Sequence, residues 1–317
     1  MPVVPMFHVN CWGMPYTSAW VGSSLVLPGC HPDARLTAEL IQKEKVTVTA
    51  AVPTVLKEWL TLMETESFDL SSLRVVVGGG SAVPQALIED YEQKLGVLLI
   101  QGYGLTETTP GLTISRPKSY MAGWSRDKVY EVQAKQGLFL PGLELKVVND
   151  KGEEIRWDGK EMGEVIVRGP WIMKEYYKDP EMTAQVVKDG WFYTRDIATV
   201  DEEGYINIKD RAKDVVKSGG EWISSIDLEN AMMAHPGVAE AAVIAIPDKT
   251  WDERPLAYVV LKAEFKGKLN KEGILDFIAP KFPKWWLPND VLFIDFIPKT
   301  SVGKFDKKLL RESYEGK

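Results

Sequence analysis

Tyr103, Thr106, Glu107 and Thr108 put an aromatic ring, hydroxyls and a carboxylate into one short stretch, Gln101 to Pro110. Gly102 and Gly104 flank the ring. The phenol offers a flat face to a base, and Glu107 suits a hard cation such as magnesium. The glycines let the main chain approach a ligand closely. Together these are the parts of a nucleotide site. A second glycine-rich stretch, Gly78-Gly79-Gly80-Ser81, stands upstream.

These loops need a scaffold that brings them together. Apolar β-branched runs at 46–52, 73–77 and 97–100 alternate with helical patterns at 54–63 and 84–94. That is a βαβαβ order, which predicts a parallel sheet with right-handed crossovers. Both glycine loops then follow strands and fall at the same edge, where open α/β sheets bind ligands. Residues 3–7 and 24–27 read as further strands, separated by an aromatic-rich segment through Trp12, Tyr16 and Trp20. From about 135 to 210 the texture turns to hairpins, with strands at 143–148, 163–167 and 205–208 and turns at 149–152 and 201–204. Beyond Asp210 a third pattern follows: Val215-Val216-Lys217, a glycine pair at Gly219-Gly220, a helix near 226–235, strands at 241–246, 256–261 and 291–296, and a helix between the last two. The expected divisions are 1–134, a partial α/β sheet subdomain; 135–209, a β-rich subdomain; and 210–317, an α+β module.

Composition narrows the function classes. The 317 residues are 45% hydrophobic and 26% charged, which is ordinary for a globular protein. A formal charge of -7 argues against general nucleic-acid binding, although residues 298–317 are locally basic and suit a phosphate-bearing ligand. Two cysteines, Cys11 and Cys30, and three histidines give neither a disulfide framework nor a zinc site. No apolar run reaches the ~18 residues of a membrane span, and the first residues lack a basic export signal. A cytoplasmic location is expected.

Four motifs in order carry a family resemblance. They are Gly-Gly-Gly-Ser-Ala at 78–82, Tyr-Gly-Leu-Thr-Glu-Thr at 103–108, Asp-Arg-Ala-Lys-Asp followed by Ser-Gly-Gly-Glu at 210–221, and Thr-Ser-Val-Gly-Lys at 300–304. With them the whole chain resembles the adenylate-forming superfamily, most closely its long- and medium-chain fatty acyl-CoA synthetases. The resemblance implies an acid–thiol ligase that joins a fatty acid to CoA through acyl-AMP, using ATP and magnesium. It places Gly78, Gly79, Gly80, Gln101, Gly102, Tyr103, Gly104, Thr106, Asp196 and Arg211 around the nucleotide. Tyr103 would stack on adenine, Thr106 would bond the α-phosphate, Asp196 would meet the ribose, Arg211 would donate to the ribose or to phosphate, and Glu107 would hold magnesium. Lys304 would bridge the two anions of the first half-reaction, which suits a point charge on a long stem. Lys213 would be the hinge of a mobile carboxyl-terminal lid. Lys217, Gly219, Gly220, Glu221 and Trp222 would come in for the CoA step. His8 and Trp12 resemble residues that line and gate an acyl tunnel.

Two departures from the family pattern stand out. The serine-, threonine- and glycine-rich loop with a lysine that grips the β- and γ-phosphates precedes everything present here, so the fold expected is a truncated acyl-CoA synthetase-like one and adenylation by these residues alone should be weak or absent. Arg195 stands where the family places glycine, either crowding the ribose or pointing outward. Two other readings accompany the leading one. The chain could be a non-catalytic binding or assembly protein, a homodimer or half of a split enzyme pairing through an exposed sheet edge. It could instead activate aryl or short-chain acids.

Overall fold

In the computed structural model the described residues are 1–30, 32–299 and 305–315. The motif at 300–304, with Lys304, lies outside them. The first third opens with α1 (Val9–Trp12), α2 (Met14–Val21) and α3 (Ala34–Glu44), then alternates β1 (Val48–Ala51), α4 (Pro53–Met63), β2 (Val75–Gly78), α5 (Gln85–Leu95) and β3 (Leu98–Tyr103). The three strands are parallel, as the βαβαβ order requires, and in register Ala51 lies beside Gly78, and Gly78 beside Gln101. Pro53, Leu56, Trp59 and Leu60 recur at helical spacing and form the buried face of α4. Two buried polar tips are satisfied there: the Trp59 indole donates to Thr37 Oγ1 (2.7 Å), and the Tyr91 hydroxyl donates to the Leu56 carbonyl (2.9 Å). β4 (Thr113–Ile114) and, after α6 (Arg126–Gln133), β5 (Leu138–Phe139) extend this sheet in antiparallel fashion.

Two expected strands are absent. Around 3–7 only Pro2 bridges Ala50, with Val3 N donating to the Ala50 carbonyl (3.0 Å), and Phe7 is 83% exposed. Pro5 supplies no N–H for a ladder, which limits the pairing. Residues 24–27 form no strand either, since apolar content without a neighbouring strand does not make one.

The middle of the chain is an antiparallel sheet in the order β10-β9-β7-β6, built from β6 (Glu144–Val148), β7 (Gly163–Arg168), β9 (Trp191–Val200) and β10 (Ile206–Arg211). α7 (Pro180–Val186) precedes the short β8 (Val187–Lys188), which pairs with β9. The last third holds the hairpin β11 (Val216–Ser218) and β12 (Glu221–Ile223), α8 (Ser225–Met233), the long pair β13 (Val238–Asp248) and β14 (Asp252–Leu261), α9 (Lys271–Ile278), β15 (Asp290–Phe293) and α10 (Lys307–Glu315). β13 alternates its side chains between two cores. Ala241 and Val243 pack with Leu228, Met232, Ile274 and Ile278, whereas Ala242 and Ile244 pack with Leu310 of α10. Burial on both faces explains why the strand is apolar along its length.

Candidate functional site

The ends of β2 and β3 meet as the sequence pattern requires. A Cβ at Gly79 would stand 2.9 Å from the Gly102 carbonyl oxygen and 3.2 Å from the Trp12 ring, so the two glycine loops touch and Trp12 lies against them. Trp12 arrives there on an unusual turn: Val9, Asn10, Cys11 and Trp12 all have φ between 47 and 54°. Such left-handed backbone is costly for side chains other than glycine. The Cys11 thiol, which donates to the Val4 carbonyl, and the Gly13 N–H help hold it. Gly104 is equally constrained, because a Cβ there would lie 1.5 Å from the Pro110 carbonyl oxygen. The loop therefore folds back on itself. Leu105 N donates to Thr108 Oγ1 (2.8 Å), which buries Thr108, while Thr106 stays exposed and Glu107 half-buried.

Tyr103 and Asp196 come from different sheets and meet. The Tyr103 hydroxyl donates to Asp196 Oδ2, and Arg211 Nε pairs with Asp196 Oδ1 at 2.9 Å. Arg211 on β10 lies opposite Asp196 on β9, which fixes that pair by register. Burial, and then the adjacent Asp196 charge, hold the Tyr103 phenol well above its usual pKa, so it remains a donor. Asp196 is buried, whereas the Arg211 side chain is 47% exposed. Gln101 has a supporting part: its amide oxygen accepts from Val83 N and its NH2 donates to the Ala134 carbonyl (2.9 Å). It ties the glycine loop to β3 from beneath.

Glu107 accepts a hydrogen bond on Oε1 from the Tyr176 hydroxyl at 2.8 Å. Among the described residues no group of three or more His, Cys, Asp or Glu is gathered that could hold a metal ion. One half-buried carboxylate beside an exposed hydroxyl is a poor transition-metal site, yet it fits magnesium, which binds through one or two carboxylates and completes its shell with water and phosphate oxygens. Arg195 points outward: its φ is 60°, its N–H donates to Glu164 Oε1 (2.8 Å), and its guanidinium reaches Gln185 Oε1 on α7 (3.3 Å). The left-handed φ is a physical reason for glycine to be the usual residue there.

His8 is half-buried at the start of α1 and caps nothing with its side chain. Lys213 is exposed between two anchored aspartates. Asp210 Oδ2 accepts from Ser225 N (2.7 Å), and Asp214 Oδ1 pairs with Arg311 Nη1 (2.7 Å). Lys307 pairs with Glu229 at 2.7 Å and donates to Ser225 Oγ. Burial presses the Lys307 ammonium down, but the Glu229 and Asp210 charges outweigh it and its pKa ends above the lysine norm. Neither Lys307 nor Arg311 was singled out by motif. They stand four apart on α10, which places both on the same face. Gly219 and Gly220 take φ of 60 and 85° at the β11–β12 turn, where a Cβ on Gly219 would come within 2.7 Å of the Trp251 ring. The Lys217 ammonium lies 5.8 Å from the Trp222 ring centre, and Glu221 is exposed.

Residues 1–177 match the AMP-binding enzyme family model, and residues 227–304 match the AMP-binding enzyme C-terminal domain. The chain belongs to the AMP-binding enzyme family. It is 48% identical over 99% of its length to a long-chain-fatty-acid–CoA ligase of Thermus thermophilus, and 40% identical over 99% to a medium-chain-fatty-acid–CoA ligase of Ectopseudomonas oleovorans. It spans 58% and 57% of those two relatives. Among solved structures it resembles ATP-bound MatB from Rhodopseudomonas palustris, with a TM-score of 0.83 at 27% identity over 99% of this chain and 59% of that one. It also resembles the Bacillus subtilis O-succinylbenzoate coenzyme A synthetase in complex with AMP, with a TM-score of 0.82 at 28% identity over 97% and 59%. The architecture of this AMP-binding enzyme is therefore that of acyl-CoA synthetases. Its own geometry joins Gly79, Trp12, Gly102, Tyr103, Asp196 and Arg211, and sets Glu107 under Tyr176.

Proposed function

We propose that this chain carries the adenylate-binding and thioester-forming parts of a fatty acid–CoA ligase. The observation that carries the reading is the Tyr103–Asp196–Arg211 cluster, assembled from two sheets beside the glycine loops. In the reaction a carboxylate oxygen of the acid attacks the α-phosphorus of ATP and pyrophosphate leaves; the CoA sulfur then attacks the acyl carbon and AMP leaves. Tyr103 would give adenine a flat face between the glycine loops, and Asp196 would accept from the ribose hydroxyls while its charge stays balanced by Arg211. Thr106 would bond the α-phosphate, and Glu107 would hold Mg2+, which neutralises phosphate charge when bound. Lys304, outside the described residues, is assigned to the first step. We further infer that residues 210–317 turn as a lid about Lys213 between the two steps, bringing Lys217 and Gly219 to Trp222 toward CoA. The acyl chain would run along His8 and Trp12, beside the exposed Met6 and Phe7.

The test is direct. Purified protein should bind AMP, and Asp196→Asn should weaken that binding; given acyl-AMP and CoA, it should form the thioester. Absence of AMP binding would sink the reading. A second reading, a shorter or differently substituted acid, is supported by 40% identity to a 3-methylmercaptopropionyl-CoA ligase of Ruegeria pomeroyi. A series of acyl-AMPs of increasing chain length separates the two: faster turnover of the shortest members would favour it.

A further inference from the structure

The segment joining β7 to α7 lies along the loop that carries Glu107. Met173 N donates to the Glu107 carbonyl (2.9 Å), Thr109 Oγ1 donates to the Trp171 carbonyl (2.9 Å), and the Trp171 indole donates to the Gly111 carbonyl (3.1 Å). Leu105, Ile172 and Met173 pack around Leu112 and Phe192. The main chain of the loop is thus placed by backbone bonds, by the Thr109 hydroxyl and the Trp171 indole, and by apolar contacts, none of them involving the Tyr176 hydroxyl. Tyr176 adds a contact of another kind, because its hydroxyl reaches the Glu107 carboxylate itself. Tyr176 is held in turn by its N–H on Thr183 Oγ1 (2.9 Å), and Thr183 is anchored on the Asp179 carbonyl at the start of α7 (2.7 Å).

We propose that Tyr176 is a positioning residue for Glu107: it occupies one carboxylate oxygen and so presents the other to a divalent cation carried with the bound nucleotide. The inference rests on the ligase reading above. A glutamate has three side-chain rotors, and an untethered carboxylate must lose their freedom when it binds a cation. A neutral phenol fixes the carboxylate without cancelling its charge, as a lysine or arginine would. Partners that orient a metal-binding side chain without touching the metal typically contribute about 10–100-fold in affinity.

The experiment uses Mn2+ as the probe and follows water-proton relaxation in the presence of AMP or ATP, alongside calorimetry of AMP without metal. Tyr176→Phe should weaken Mn2+ binding by about 10-fold or more while metal-free AMP affinity stays within about twofold. In a double-mutant cycle the effect of Tyr176→Phe should vanish once Glu107→Gln is present. Equal Mn2+ affinity in wild type and Tyr176→Phe overturns the inference and leaves the ligase reading standing, as does loss of metal-free AMP binding together with Mn2+, which would mark a structural role. A wild-type protein that binds AMP but no Mn2+ removes the role of Glu107 and this inference with it. A wild-type protein that binds neither overturns the ligase reading as well.

Discussion

The loop around Glu107 and the cluster beneath α10 treat their charges in opposite ways. Glu107 meets a neutral phenol, and Asp196 meets a phenol and an arginine that is 47% exposed. Beneath α10 charge meets charge out of water: Lys307 and Glu229 have side chains only 11% and 8% exposed, with Asp210 buried beside them. In the first region Glu107 is half-buried with a neutral partner, and the buried Asp196 is tied to an arginine that reaches solvent, so both lie near a surface that a ligand can meet. In the second, the anions and cation are spent on each other, and what they gain is a fixed relation between α8, α10 and the 210–214 segment. A buried ion pair is weak evidence of net stability but strong evidence that its partners must stay together.

The largest effect should follow from breaking the second region. Lys307→Met leaves two buried carboxylates without their cation and should cost about 3–5 kcal/mol, measured by urea unfolding. Adding Glu229→Gln, which still accepts from Val243 N, should recover much of that loss. The same cluster sets a pH dependence. Burial raises the pKa of both Asp210 and Glu229 above 3.8 and 4.5, with Lys307 opposing. The native state then holds protons that the unfolded chain has released, so stability falls as pH rises from those ordinary values through the folded ones. Without Lys307 the folded values rise further and the fall should continue to higher pH, visible as a urea midpoint that keeps dropping. A flat profile in Lys307→Met would mean that water reaches the cluster and that the contrast between the two regions is overstated.

The next effect belongs to the first region and to ligand rather than fold. Asp196→Asn removes charge-assisted hydrogen bonds of about 1.5–3 kcal/mol, so AMP affinity should fall by about 10–100-fold, while unfolding changes far less than in Lys307→Met. Calorimetric titration with AMP beside urea unfolding gives both numbers. Unfolding by Asp196→Asn as severe as by Lys307→Met, with AMP affinity intact, would make Asp196 one more structural charge.

What the sequence made legible follows the same division. Alternation of β-branched runs and helices gave the parallel β1–β2–β3 unit, and glycines at strand ends placed Gly79 against Gly102. Hairpin texture gave the second sheet. The misplaced strands at 3–7 and 24–27 were apolar runs whose pairing depends on neighbours that local pattern does not specify. Motif positions brought Tyr103, Asp196 and Arg211 into consideration, but not that the phenol donates to the carboxylate, because that contact joins positions 93 residues apart. Tyr176 and Lys307 were missed for a related reason: each acts through a partner distant in sequence, Glu107 in one case and Glu229 in the other. Tyrosines and lysines at such spacings are commonplace on surfaces, and only the fold tells them apart.

The smallest effect concerns Arg195, whose side chain turns away from both clusters toward Met182 and Gln185. A side chain at φ of 60° strains the backbone by about 1–2 kcal/mol, and glycine avoids that strain. Glycine also gains freedom in the unfolded chain, and Arg195→Gly loses the exposed contact with Gln185, so the net gain should be about 0.5–1 kcal/mol in urea unfolding. Because the side chain is turned toward α7, AMP affinity should stay within about twofold, since a charge at solvent-screened range contributes little. A tenfold change in AMP affinity, of either sign and about 1.4 kcal/mol, would place Arg195 among the groups whose charge is kept for the ligand. It would then stand with Asp196, and the line between the two regions would have to be redrawn to include a residue the family pattern gives to glycine.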